Sequence, residues 1–67
     1  MKTHYLTIGN LHARYWYDTH LRLWTAHEVT QPNEDGDQIG GAFYDVSRKS
    51  IEADIRALAL IGNEVAA

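Results

Sequence analysis

The stretch HYLTIGNLHARYWYD, residues 4–18, decides the fold. His4, Leu6 and Ile8 alternate with Tyr5 and Thr7, the period of a strand with two unlike faces. Gly9-Asn10 is a two-residue turn of the kind that tolerates positive φ and joins antiparallel strands. With the turn there, Ile8 faces Leu11, Leu6 faces Ala13 and His4 faces Tyr15. One face then collects Leu6, Ile8, Leu11, Ala13, Tyr15 and Tyr17, and the other Tyr5, Thr7, His12, Arg14 and Trp16.

Working outward, DTHL turns the chain and RLWTAHEVT reads as a third strand. A four-residue loop sets Tyr17 opposite Arg22, Tyr15 opposite Trp24 and Ala13 opposite Ala26, with His12 and His27 as cross-strand neighbours. A one-residue slip would send Leu21, Leu23 and Val29 to that face instead. QPNEDGD is a loop, since Pro32 cannot donate to a ladder and Asp35-Gly36 is a turn dipeptide. QIGGAFYDV is the fourth strand, its glycines marking either a bulge or a close approach of another backbone.

Ser47 or Ser50 caps the helix that follows. Ile51, Ile55, Leu58 and Ile61 form its apolar stripe, Glu52 and Arg56 are spaced as a surface pair, and Gly62-Asn63 is the expected stop before a frayed tail. The expected fold is α+β: an antiparallel sheet of three or four strands with one C-terminal helix, about 12 to 14 residues long, packed on one face, all in a single domain over 1–67. One such helix covers only the middle of one sheet face, so the other is left to solvent or to another molecule.

Composition narrows the chemistry. A 67-residue chain buries a thin core, and without cysteine it has no disulfide, thiolate metal site or cysteine nucleophile. The longest apolar run, ALALIG, is too short to span a bilayer, and no segment of signal-peptide character opens the sequence, so the expectation is a cytoplasmic protein. Nine acidic against six basic residues give a formal charge of −3, the wrong sign for a domain that lives by gripping phosphate.

No nucleophile elbow, phosphate loop or paired-carboxylate motif is present, and the expectation is a non-enzymatic protein without cofactor. The loop NEDGD misses calcium-loop spacing, which would place ligands at Gln31 and Ala42. No pair of the four histidines (4, 12, 20 and 27) has the helical spacing of a metalloenzyme, and no metal site is expected. What remains is an aromatic contact surface. If the helix covers the Tyr15 and Tyr17 face, Tyr5, Arg14 and Trp16 are left on the open face with the composition of a binding hot spot; if it covers the Trp16 face, the tyrosines are left outside instead. Glu34, Asp35 and Asp37 on the loop are candidate carboxylates for a basic partner surface.

The strand QIGGAFYDVS followed at once by RKSIEADIRAL resembles some small phage-encoded anti-CRISPR proteins over about a third of the chain. That resemblance implies an inhibitor that occupies a surface of a bacterial nucleic-acid-handling complex in the host cytoplasm. YWYDTHLRLWTA with the helix after Ser47 is similar to HicB-type antitoxins, which implies an antitoxin-like or transcription-associated module that works as a homodimer. A third likeness, to the arm-binding domain of phage integrases, would give DNA contact to Arg14, Arg22 and Lys49; the acidic balance makes direct nucleic-acid binding the least expected of the three.

Overall fold

The computed structural model describes residues 2–66, with side chains through Gly62. Four strands and one helix follow in order: β1 (His4–Ile8), β2 (Leu11–Asp18), β3 (Leu23–Val29), β4 (Gln38–Asp45) and α1 (Arg48–Ala66). The sheet is an antiparallel meander in the order β1-β2-β3-β4, and α1 packs across it, touching all four strands. The α+β expectation holds, with four strands rather than three.

The first hairpin has the register its sequence predicts, His4 opposite Tyr15 through Ile8 opposite Leu11, with Gly9 at φ 61° in the turn. The second does not. Tyr17 faces Trp24 and Tyr15 faces Ala26, so the four-residue loop lies one residue further along, at 19–22. Its geometry explains the move. The Asp18 carboxylate accepts hydrogen bonds from the amides of His20 (2.9 Å) and Leu21 (3.1 Å), and the Arg22 amide donates to the Asp18 carbonyl at 2.8 Å. Arg22 closes the turn at φ 58°, a left-handed conformation that non-glycine residues seldom adopt. Because the shift changes each pairing by two residues, no side chain changes face. The pairings do change: His12 faces Val29 and His27 faces Arg14, so the two histidines are not cross-strand neighbours.

Between Ala26 and Glu28 the ladder to β4 is irregular, with Phe43 opposite Ala26 and Ile39 opposite Glu28. Gly40-Gly41-Ala42 is the bulge, and Gly40 has φ 72°. A methyl built on either glycine would meet nothing within 4 Å, so backbone angle, not close approach, is what this segment uses. Gly36 is the opposite case. A methyl there would sit 2.3 Å from the Gln31 carbonyl oxygen, so the 30–37 loop closes only around glycine.

The helix begins at Arg48 because Ser47 caps it: the Ser47 hydroxyl accepts from the Ser50 amide at 3.1 Å. It runs 19 residues, continuing past Gly62-Asn63 to Ala66 rather than stopping there. Ile51, Ile55 and Ala59 are buried while Ile61 is 57% exposed, which corrects the expected stripe. At about 100° per residue, Ile61 lies roughly 120° from the centre of the Ile51–Ile55–Ala59 face. Gly62 falls near the middle of that face by the same count and is nevertheless exposed, so α1 has by then run past the sheet.

The core is Ala13, Tyr15, Ala26, Ile51 and Ile55, joined at its margin by Leu6, Ile8, Leu11, Trp24 and Phe43. The helix therefore covers the Tyr15 side of the sheet. A polar contact pins it there: the Tyr15 hydroxyl donates to the Glu52 carboxylate, which also accepts from Arg48 Nε at 3.2 Å. Glu52 thus pairs back toward the sheet and the first turn, not forward to Arg56. The tyrosine contact and the neighbouring guanidinium hold the Glu52 carboxyl below its ordinary pKa.

Candidate functional site

Strand alternation puts Tyr5 and Thr7 of β1, His12, Arg14 and Trp16 of β2, and Thr25, His27 and Val29 of β3 on the face that α1 leaves uncovered. On this face is an open concavity of about 590 Å³ lined by Thr3, Tyr5, Arg14, Trp16, His27 and Glu34. The volume lies within the range of small-ligand sites, roughly 300–1,000 Å³. Four of its residues come from adjacent strands, Tyr5 of β1, Arg14 and Trp16 of β2 and His27 of β3, with Tyr5 opposite Arg14 and Arg14 opposite His27. The fourth side is the 30–37 loop. There the Thr30 amide donates to the Asp37 carbonyl at 3.0 Å, the Asp37 amide to the Thr30 hydroxyl at 3.0 Å, and the Asp35 amide to the Asn33 side chain at 2.9 Å. These bonds fold the loop back on itself and bring Glu34 to the cavity.

Four of the six residues expected to form a contact surface, Tyr5, Arg14, Trp16 and Glu34, therefore line one concavity. Asp35 and Asp37 do not line it; both are exposed on the loop beside it. Two cavity residues were not among the expected ones. Thr3 precedes β1, outside any periodic pattern. His27 sits on the Trp16 face in either the expected or the observed register, so its face was readable and its burial was not.

His27 is 6% exposed, and the Trp16 ring meets it edge-on with centroids 5.1 Å apart. Among the described residues two buried side-chain polar atoms lack a hydrogen-bond partner, His27 Nδ1 and Thr25 Oγ1, and both belong to this uncovered face. Burial, and then the charge of Arg14 across the strand pair, hold the His27 pKa below its ordinary value, so the ring is neutral near pH 7. Arg14 is half-buried. Among the described residues the one ion pair is Arg48–Glu52, so the Arg14 guanidinium has no carboxylate within 4.0 Å.

The basic residues that a DNA-reading sheet would need are dispersed. Arg14 is on the uncovered face, Arg22 is in the 19–22 loop, and Lys49 is on the helix that packs against the other face. Among the described residues no three His, Cys, Asp or Glu side chains cluster as metal ligands, and no helix is long and apolar enough to cross a membrane. Compared with protein-family models, with curated proteins and with solved structures, the chain matches none.

Proposed function

We propose that this chain is a non-enzymatic binding protein that inhibits a bacterial nucleic-acid-handling complex by seating the uncovered sheet face on one of its protein surfaces. The observation that carries the reading is the concavity itself: Tyr5, Arg14, Trp16 and Glu34, scattered over thirty positions of sequence, converge on one place. Trp, Tyr and Arg are the side chains that dominate binding energy when desolvated at the centre of an interface. The exposed carboxylates of Asp35 and Asp37 beside the cavity supply a negative rim, suited to a surface that otherwise faces nucleic acid. The phage origin and the defence-complex target rest on the resemblance to anti-CRISPR proteins.

The test is capture from nuclease-treated bacterial lysate with the tagged protein, followed by reconstitution with the purified complex. The wild type is expected to retain one nucleic-acid-handling complex, and Trp16→Ala to lose it while keeping a cooperative melting transition. Binding through aromatics should also weaken little between low and moderate salt, unlike phosphate binding. Recovery of the protein alone overturns the reading.

An antitoxin-like homodimer is the second reading, favoured by the outer edge of β4. Ile39 and Tyr44 on that strand are 44% and 50% exposed, and among the described residues no strand neighbours its far side. A dimer in analytical ultracentrifugation, lost when Tyr44 is replaced by Lys, would favour it.

A further inference from the structure

We infer that the open-face cavity is a receptor for a carboxylate presented by the bound protein partner, held by Arg14 in a lining that includes Trp16 and Tyr5. This rests on the protein-binding reading and names the chemistry of its central contact. The donor inventory of the lining decides the sign. Arg14 and Trp16 can only donate, Thr3, Tyr5 and His27 can donate or accept, and Glu34 can only accept. Arg14 contributes a planar fork suited to bidentate carboxylate binding, and among the described residues no internal carboxylate occupies it. His27 lines the cavity against the Trp16 ring and, with its pKa held below the ordinary value, brings no second positive charge, so Arg14 is the cationic group of the lining.

The other sign fits less well. A partner cation would find the ring faces and Glu34, but it would share the cavity with the Arg14 guanidinium, and like charges at that range repel. The Glu34 carboxylate in the lining instead orients the guest, disfavouring any anion that does not go to Arg14.

Sodium benzoate is a suitable probe, with benzylamine as the cationic control and benzamide as the neutral one. Each is titrated into the intact protein while the indole N–H signals of both tryptophans and the ring signals of His27 are followed by NMR. Benzoate is expected to shift Trp16 and His27 saturably and to leave Trp24, on the covered face, unmoved. Arg14→Gln should weaken benzoate about tenfold, the loss of one charge-assisted pair, and Arg14→Lys should weaken it less because the charge survives without the fork. Glu34→Gln should tighten benzoate about twofold to fivefold, since an exposed repulsion is removed.

Equal or stronger binding of benzylamine, tightening by Arg14→Gln, or equal shifts at Trp16 and Trp24 would each overturn the inference, as would no saturable shift by benzoate. Because the titration needs no partner, a capture experiment that fails while benzoate binds condemns the protein-binding reading alone. A capture that succeeds while benzoate fails condemns the carboxylate receptor alone.

Discussion

The two faces of this sheet are made from alternate residues of the same strands, yet they treat buried polar groups differently. On the covered face, the Tyr15 hydroxyl is buried against the helix and finds Glu52, which finds Arg48. His4, Tyr15 and Trp24 are packed ring to ring there, with centroids 5.3 to 6.2 Å apart. On the uncovered face, Thr25 and His27 are 4% and 6% exposed, and each keeps a polar atom without a partner among the described residues. The helix brings its own complementary groups to one side. The other side has been dried by its neighbours without being matched by them. A surface buried but unmatched is stabilised by whatever completes its hydrogen bonds, whereas a matched one gains nothing from a guest.

The largest test of this contrast is on the covered side. Ile55→Ala should cost about 2–4 kcal/mol in urea denaturation, because Ile55 is fully buried at the centre of the helix contact. Ile61→Ala, on the same helix but 57% exposed, should change stability by no more than about 0.5 kcal/mol. Equal effects would mean that the buried stripe follows the sequence pattern rather than the packed face.

The next test is on the uncovered side and has the opposite sign. Thr25→Val keeps the shape and removes the hydroxyl that lacks a partner, so the variant should be more stable by about 1 kcal/mol. A loss of that size would show that the hydroxyl is satisfied and the contrast between the faces false.

The smallest effects are in pH dependence. Glu52 has its folded-state pKa lowered, first by the Tyr15 hydrogen bond. Its contribution is therefore present above its ordinary value of 4.5 and lost as pH falls through the lower folded value. Asp54 is raised from 3.8, first by its hydrogen bond with Asp45, so its contribution is present in acid and lost as pH rises past that value. Glu52→Gln should flatten the acid limb of the melting temperature between about pH 5 and 3. Asp54→Asn should raise the melting temperature at pH 7 by about 1–4 °C and change it much less at pH 2. Thermal melts across that range check both, and a steeper acid limb in Glu52→Gln would reverse the assignment.

Much of the fold can be read from local pattern. Gly9-Asn10 between two alternating segments specifies the first hairpin down to its pairings, because a two-residue turn leaves no freedom in register. The second hairpin shows the limit. Its face assignment survives a two-residue change, but the loop position depends on Asp18 capping its own turn and on Arg22 accepting a left-handed backbone, for which a non-glycine residue gives no signal. The helix stripe shows the same limit at greater range. Ile61 fits helical spacing from Ile51, yet which arc of a helix is buried depends on how it lies across the strands. In the cavity, Tyr5, Arg14 and Trp16 share a face by alternation alone, and that much is local. Glu34 joins them because the 30–37 loop closes around Gly36, and His27 is dry where β3 is flanked by its neighbouring strands and the Trp16 ring lies edge-on against it.

Sequence by itself determined the elements, the order in which they alternate and the separation of side chains into two faces, since these follow from periods of 2 and 3.6 and from turn chemistry between neighbours. Tertiary structure alone decided which face the helix takes, where the second loop sits, and that Nδ1 of a buried histidine is left without a partner, next to an arginine with no carboxylate within 4.0 Å among the described residues. Those outcomes depend on packing between segments far apart in the chain, and no local preference encodes them.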